Sequence, residues 1–298
     1  METCRRFDQN RPANNHNIMK VKLTTLCENT AAKPGFMAEW GLSIIVQVDD
    51  LNVLFDAGGN FVAVRNADKL GVKLCDINKI VLSHAHADHT GGLREVLRRT
   101  GPKEIIAHPD IWELKYTKRP YEENEAFIGV PFARAELELF GASFTLNKKP
   151  VYITDSIMTT GEILQATDFE AVEPIFFVKE GGSLRHDPIR DDLALIVKTK
   201  EGLVIVLGCA HRGIVSTIRH AQEITGEERI HTVVGGTHLS PKTDEQVEKT
   251  ILALQEIGVQ KIGVSHCTGF NASMRLAQAF GDKFFINNAG TIYSLDSV

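Results

Sequence analysis

The sequence predicts a layered α/β protein built from two similar halves, and three observations predict it. Short apolar, β-branched runs alternate with segments carrying a 3.6-residue apolar stripe across most of the 298 residues. In each half a hairpin delivers a polar residue beside a glycine. Residues 44–55, turned at Asp49-Asp50-Leu51-Asn52, lead to Asp56, and residues 192–207, turned at Thr199-Lys200-Glu201-Gly202, lead to Cys209. Four strand–loop–helix units end their strands in histidine or cysteine: His84/His86, Cys209/His211, His238 and His266. Binding groups in layered α/β folds gather outside the carboxyl ends of strands, so these side chains are expected to share one cleft.

Taken in order, residues 1–18 are polar and asparagine-rich with no apolar core of a signal peptide, and read as a disordered tail. One domain is expected over 19–298. A first strand covers 21–27, and 42–48 and 53–55 form the first hairpin, ending in Asp56-Ala57-Gly58-Gly59. A helix follows over 61–70, stopped by Gly71. The strand Ile80-Val81-Leu82 runs into Ser83-His84-Ala85-His86-Ala87-Asp88-His89-Thr90-Gly91-Gly92 and then a helix over 93–99. His108 follows the next strand without a ligand-type neighbour and reads as a surface group or a support for a ligand. Residues 112–175 are loosely patterned and hold much of the aromatic content, including Trp112, Tyr116 and Phe127; they read as an insertion able to cover the cleft as a lid. In the second half, helices are expected over 214–224 and 244–257 and again after the strand 261–264.

Composition narrows the class. The chain is 43% hydrophobic and 24% charged, as for an ordinary globular protein, and its net charge of −5 offers no basic footprint for nucleic acid. No apolar run approaches the roughly 20 residues a membrane span needs. Five cysteines (Cys4, Cys27, Cys75, Cys209, Cys267) form no C-x-x-C pair, and their odd number argues against a disulfide framework and for a reducing, cytoplasmic setting. A small-molecule substrate is therefore expected, with no nucleic-acid or membrane partner; oligomeric state is not legible.

Three imidazoles and a carboxylate within six residues at a strand end cannot all pack as core groups, because each buried polar atom needs a partner. His84 and His86 leave one face of an extended segment and can meet one cation; after a turn, Asp88 and His89 can meet a second. This His-x-His-x-Asp-His run resembles the first metal motif of the metallo-β-lactamase superfamily. The resemblance implies a four-layer αββα sandwich with a dinuclear metal site. In the same terms Asp56-Ala57-Gly58 is similar to the Asp-x-Gly that supports the site, and His266 to the superfamily's final histidine, sharing a cation with Asp88 and His89. Cys209 stands where the family usually has a bridging aspartate, a departure that bears on the metal. The family's middle histidine is represented by His186, Asp191 or Asp192 ahead of that position, or by His211 two residues beyond it, which is the preferred choice. The Gly-Cys-x-His-x-Gly, Gly-Gly-x-His-Leu and His-Cys-Thr-Gly runs resemble a branch labelled dihydropterin ribofuranosyl-aminobenzene phosphate synthase-like.

The first expectation for function is hydrolysis of a small phosphate-containing or ester substrate. Two divalent cations, zinc first with manganese or iron as alternatives, would lower the pKa of a shared water from about 15.7 towards about 7. Asp88 would move its proton, and His238 or Arg212 would stabilise developing charge, with Thr268 and Gly269 offering a hydroxyl and helix amides to an anion. The alternatives are a pterin-related synthase or transferase acting on a ribosyl-aminobenzene phosphate, diiron redox chemistry, and a non-catalytic metal-binding sensor. His86 stands where the diiron class is expected to carry Glu. A β-lactam substrate fits a cytoplasmic protein least well.

Overall fold

The computed structural model describes residues 19–31 and 33–297, so the tail expected over 1–18 lies outside the described residues. Two sheets stack face to face. The first runs, edge to edge, through Ile292–Ser297, Met19–Cys27, Ser43–Val48, Leu51–Phe55, Lys79–Val81, Lys103–Ala107 and Ala142–Leu146. The second runs through Phe284–Ile286, Lys261–Ser265, Ile230–Gly236, Gly202–Leu207, Ala194–Thr199 and Ile157–Thr159.

Strand periodicity sorts the apolar side chains into three cores and so into four layers. In Gly202–Leu207, Val204 and Val206 face the opposite sheet, where Ile44, Val46, Val53 and Phe55 meet them. Leu203, Ile205 and Leu207 point the other way, against the helices Ile214–Thr225, Asp244–Ile257 and Phe270–Phe280. The first sheet does the same: Leu54, Ile80 and Ile105 turn outward onto the helices Val62–Leu70 and Leu93–Thr100. The result is the αββα sandwich expected from the sequence. Helix 244–257 shows how local chemistry sets an element: Thr243 and Gln246 form a capping box, Val247, Ile251 and Leu254 make the buried stripe, and Gly258 at φ 81° ends it.

Topology gathers the polar strand ends. Leu51–Phe55 and Lys79–Val81 are parallel neighbours, so Asp56 and the Ser83 loop emerge side by side. Gly202–Leu207, Ile230–Gly236 and Lys261–Ser265 are also parallel, so the residues after them emerge along one edge.

Segment 112–175 does not form one insertion. Ala142–Leu146 and Ile157–Thr159 join the edges of the two main sheets, whereas Lys115–Thr117 and Ala126–Phe127 join Phe176–Glu180 and Ser183–His186 in a separate small sheet. Lys115, only 1% exposed, anchors that sheet: its Nζ lies 2.9 Å from Asp187 Oδ2 and 2.6 Å from Asp191 Oδ1. Lys115→Met leaves both carboxylates buried without a counter-ion. It is expected to lower unfolding free energy by about 3–5 kcal/mol, read as a lower denaturant midpoint. Among the described residues no helix is long and apolar enough to cross a membrane.

Candidate metal centre

Asp56 organises the site. It adopts a left-handed φ of 60°, with its N–H on Val81 O at 2.9 Å, which aims the carboxylate at the loop after the next strand. Oδ1 accepts the Ser83 N–H at 2.7 Å; Oδ2 accepts the Ser83 hydroxyl and faces His89 Nδ1, each at 2.7 Å. These contacts fix two tautomers. Ser83 spends its only hydroxyl proton on Asp56, so His84 Nδ1, 2.8 Å from Ser83 Oγ, must be the donor there, leaving His84 Nε2 bare. His89 donates Nδ1–H to the carboxylate, which leaves Nε2 as the nitrogen that faces the site.

His266 reaches the same state by another route. Its Nδ1 lies 2.9 Å from Asn29 Oδ1, an oxygen that also accepts the Gly41 N–H, so the histidine donates and its Nε2 is free. Glu28 holds the backbone of this residue, accepting the His266 N–H at 2.6 Å, and stabilises its left-handed φ of 54°.

These nitrogens converge on Cys209. Ligand atoms of His84, Cys209 and His211 all lie within 4.8 Å of one another, as do those of His89, Cys209 and His266, so the thiol is common to both groups. Cys209 Sγ is 3.2 Å from His89 Nε2. His86 Nδ1 stands 3.0 Å from His84 Nε2 beside the first group, and Asp88 Oδ2 lies 3.1 Å from His266 Nε2 and 3.9 Å from His89 Nε2 beside the second. Gly208 permits this closure: a Cβ there would sit 2.1 Å from Ser83 Oγ and 3.3 Å from Asp56 Oδ2.

The residues present fit divalent cations. Both ring nitrogens of buried His211, together with His86 Nε2 and His266 Nε2, have no hydrogen-bond partner among the described residues, although His266 Nε2 and Asp88 lie close. Each such orphan costs about 1–3 kcal/mol, a cost that coordination removes. Burial, reinforced by neighbouring histidines, pushes His84 and His211 well below the ordinary range. Burial likewise brings His86 to about 3, so these rings are neutral as ligation requires. Burial raises the Cys209 thiol well above its usual value, with Cys267 adding to the effect. A divalent cation is what would make a thiolate there. Despite burial, Asp56 and Asp88 push His89 up to about 9, so without a cation its Nε2 carries a proton that ligation would displace.

The centre floors a cleft of about 470 Å³. On one wall His238, at φ 48°, places Nδ1 3.3 Å from Glu173 Oε1, and its ring centroid lies 4.1 Å from that of His211. Glu173 is brought down to about 2 despite burial by His238 and by Lys242, whose Nζ is 2.5 Å away. Glu173, His211 and His238 also lie within ligand reach of one another, but a cation there would face the Lys242 ammonium, and Glu173 already has its counter-charge. Glu173 and Lys242 serve instead to hold the His238 ring. Sequence reading missed both, since neither belongs to a motif.

Other sequence expectations are corrected. Arg212 turns from the cleft, its guanidinium donating to the carbonyls of Ile163 and Pro188 at 3.1 and 3.0 Å. Thr268 is buried, its hydroxyl accepting from Thr237, and Gly269 opens with the start of helix Phe270–Phe280 onto a different, neighbouring pocket. The tight turn His266–Thr268 rotates the chain away after His266. His186 is exposed on the small sheet, far in role from a ligand. Asp191 binds Lys115 and the Ala85 N–H, and Asp192 binds the Arg212 N–H, so neither joins the ligand groups. His108 is buried, not superficial: Nδ1 accepts the Asp110 N–H and Nε2 meets Glu162.

A four-layer αββα sandwich with imidazole, thiol and carboxylate groups clustered at the strand ends defines a class of proteins built to bind metal. The chain belongs to the metallo-β-lactamase superfamily, whose family model matches residues 41–217. It is 32% identical, over 92% of its length and 97% of the relative's, to the 7,8-dihydropterin-6-methyl-4-(β-D-ribofuranosyl)-aminobenzene-5′-phosphate synthase of Methanocaldococcus jannaschii. A solved structure described as a metal-dependent hydrolase of the β-lactamase superfamily is 30% identical, with TM-score 0.80, covering 93% of this chain and 100% of its own. The metallo-β-lactamase fold protein YhfI from Bacillus subtilis shares the fold at TM-score 0.57 and 13% identity, over 93% of this chain and 100% of its own. The hydrolase expected as the first reading of the sequence is corrected by the synthase relative, which supports the pterin-related alternative instead.

Proposed function

We propose that this protein is a pterin-related synthase that joins a pterin-6-methyl unit to a ribosyl-aminobenzene phosphate. The observation that carries the reading is the identity to the M. jannaschii synthase, spread over nearly the whole of both chains. The cleft agrees with it in size and lining. At about 470 Å³ it falls in the range of small-molecule sites, and Trp40, Phe127 and Phe176 line it for flat aromatic rings.

The cation sites of this reading are the two groups that share Cys209. His84 and His211, with His86 beside them, would hold one cation, and His89 and His266, with Asp88 beside them, the other, while Asp56 orients His84 through Ser83 and His89 directly. Imidazole and thiolate donors favour zinc over harder ions. Cations held there would supply electrostatic stabilisation to an anionic leaving group. The chemistry that balances is displacement: the arylamine nitrogen forms a bond to the pterin-6-methyl carbon while that carbon's bond to a phosphate-ester oxygen breaks. Phosphate leaves with the electron pair, and the amine loses a proton. His238 receives that proton, its ring oriented through Nδ1 by Glu173 and the resulting imidazolium stabilised by the same carboxylate.

The test is product analysis. Metal-loaded protein incubated with 4-(β-D-ribofuranosyl)aminobenzene 5′-phosphate and a phosphate ester of a 6-hydroxymethyl-dihydropterin is expected to yield one new mass, the sum of the two less the phosphate leaving group. Recovery of both reactants unchanged, with metal verified in place, contradicts the reading.

A further inference from the structure

We infer that Arg119 is the residue that selects the phosphate group of the substrate, an assignment that rests on the synthase reading above. Of the groups the sequence offered to an anion, only His238 reaches the cleft, where it faces the amine: the Arg212 guanidinium is taken by two backbone carbonyls, and the amides after Gly269 open elsewhere. Among the described residues lining the cleft, Arg119 is the one Lys or Arg side chain. The carboxylates there, Asp88 and Glu173, would repel a phosphate rather than bind it.

Arg119 is placed for the task. It follows the strand Lys115–Thr117, which pairs with Ala126–Phe127, so the arginine and Phe127 belong to one hairpin of the cleft wall. The Glu122 side chain accepts the Arg119 backbone N–H at 2.9 Å, which shapes the turn, but the guanidinium meets Glu122 only at 3.7 Å and the Arg119 side chain is 53% exposed. So loose and solvated a pair holds the side chain weakly. A phosphate offers instead two parallel charge-assisted hydrogen bonds in the fork geometry that guanidinium matches. Two exposed aromatics share the opening, Trp40 at 64% and Phe127 at 45%, and Trp40 leans on His266 with ring centroids 5.1 Å apart. A ligand with its phosphate on Arg119 at the mouth would therefore lay its aromatic ring against these side chains and direct the amine inward, towards His238. The phosphate meant is the monoester on the aryl riboside, not the leaving group of the pterin.

Equilibrium binding tests this without turnover. 4-(β-D-ribofuranosyl)aminobenzene 5′-phosphate and its dephosphorylated form are titrated into metal-loaded wild type, Arg119→Ala and Arg119→Lys, following tryptophan fluorescence. Wild type is expected to prefer the phosphorylated form by about 10- to 100-fold, the scale of hydrogen bonds to a charged group. Arg119→Ala is expected to lose that preference with affinity for the dephosphorylated form unchanged, and Arg119→Lys to recover part of it. The assignment is overturned if Arg119→Ala keeps the preference, if it weakens both ligands equally, or if wild type shows no preference. Absence of a joined product with the preference intact would instead count against the synthase reading alone.

Discussion

Replacing Cys209 with alanine is expected to empty both halves of the metal centre at once. Its thiol is common to the two ligand groups, and among the described residues no other single side chain belongs to both. His211→Ala is expected to remove one cation and His266→Ala the other, each leaving about half the wild-type metal. The loss of electrostatic stabilisation at the departing anion should lower turnover in Cys209→Ala by at least about 10²–10³-fold, the scale seen when only a single stabilising donor is removed. The alanine vacates a site at the end of a strand and not the apolar core, so circular dichroism should be unchanged. Elemental analysis of the three variants checks this; full metal content in Cys209→Ala would show that the thiol only packs.

The second large effect is expected from a residue outside both ligand groups. Asp56→Asn keeps the volume and removes the charge. One carboxamide oxygen cannot accept from Ser83 N, Ser83 Oγ and His89 Nδ1 together, and its NH₂ must confront one of these donors. His89 is then released to carry its proton on Nε2, the nitrogen aimed at Cys209, and His84 loses the hydroxyl relay that held its tautomer. Metal affinity should fall about 10- to 100-fold, measured by competition with a chelator. Stability without metal should fall by about 2–4 kcal/mol, since hydrogen bonds to a buried charge are lost. Ser83→Ala breaks only the His84 arm and should show the smaller loss. Equal metal affinity in Asp56→Asn and wild type would remove the tautomer argument.

Much of this was legible in the sequence, for reasons that are physical. The run from His84 to His89 declares itself because its spacing is short and its residues have no other use at a strand end. The hairpins before Asp56 and Cys209 declare themselves as near-continuous apolar runs joined by short turns, since both faces of each strand are buried, each against a different layer. What escaped depends on closure between distant segments. Glu173 and Lys242 meet only when the small sheet folds against the helix side, and Glu28 reaches the His266 amide across 238 residues of chain. The small sheet itself is made of strands of two to five residues, too short to show a period. Arg212 and Thr268 were misplaced for the opposite reason: their chemistry suits a phosphate, but side-chain direction is set by the turn. The pairing of Ile292–Ser297 with Met19–Cys27 likewise joins the two ends of the described chain, beyond any local signal.

Anomalous diffraction from crystals of the purified protein, recorded above and below the zinc edge, is the most direct test of the centre. A cation is expected within each of the groups His84–Cys209–His211 and His89–Cys209–His266, with none between Glu173 and His238. Density at neither group, or only beside Glu173, would contradict the sharing of Cys209 and with it the arrangement on which the proposed chemistry stands.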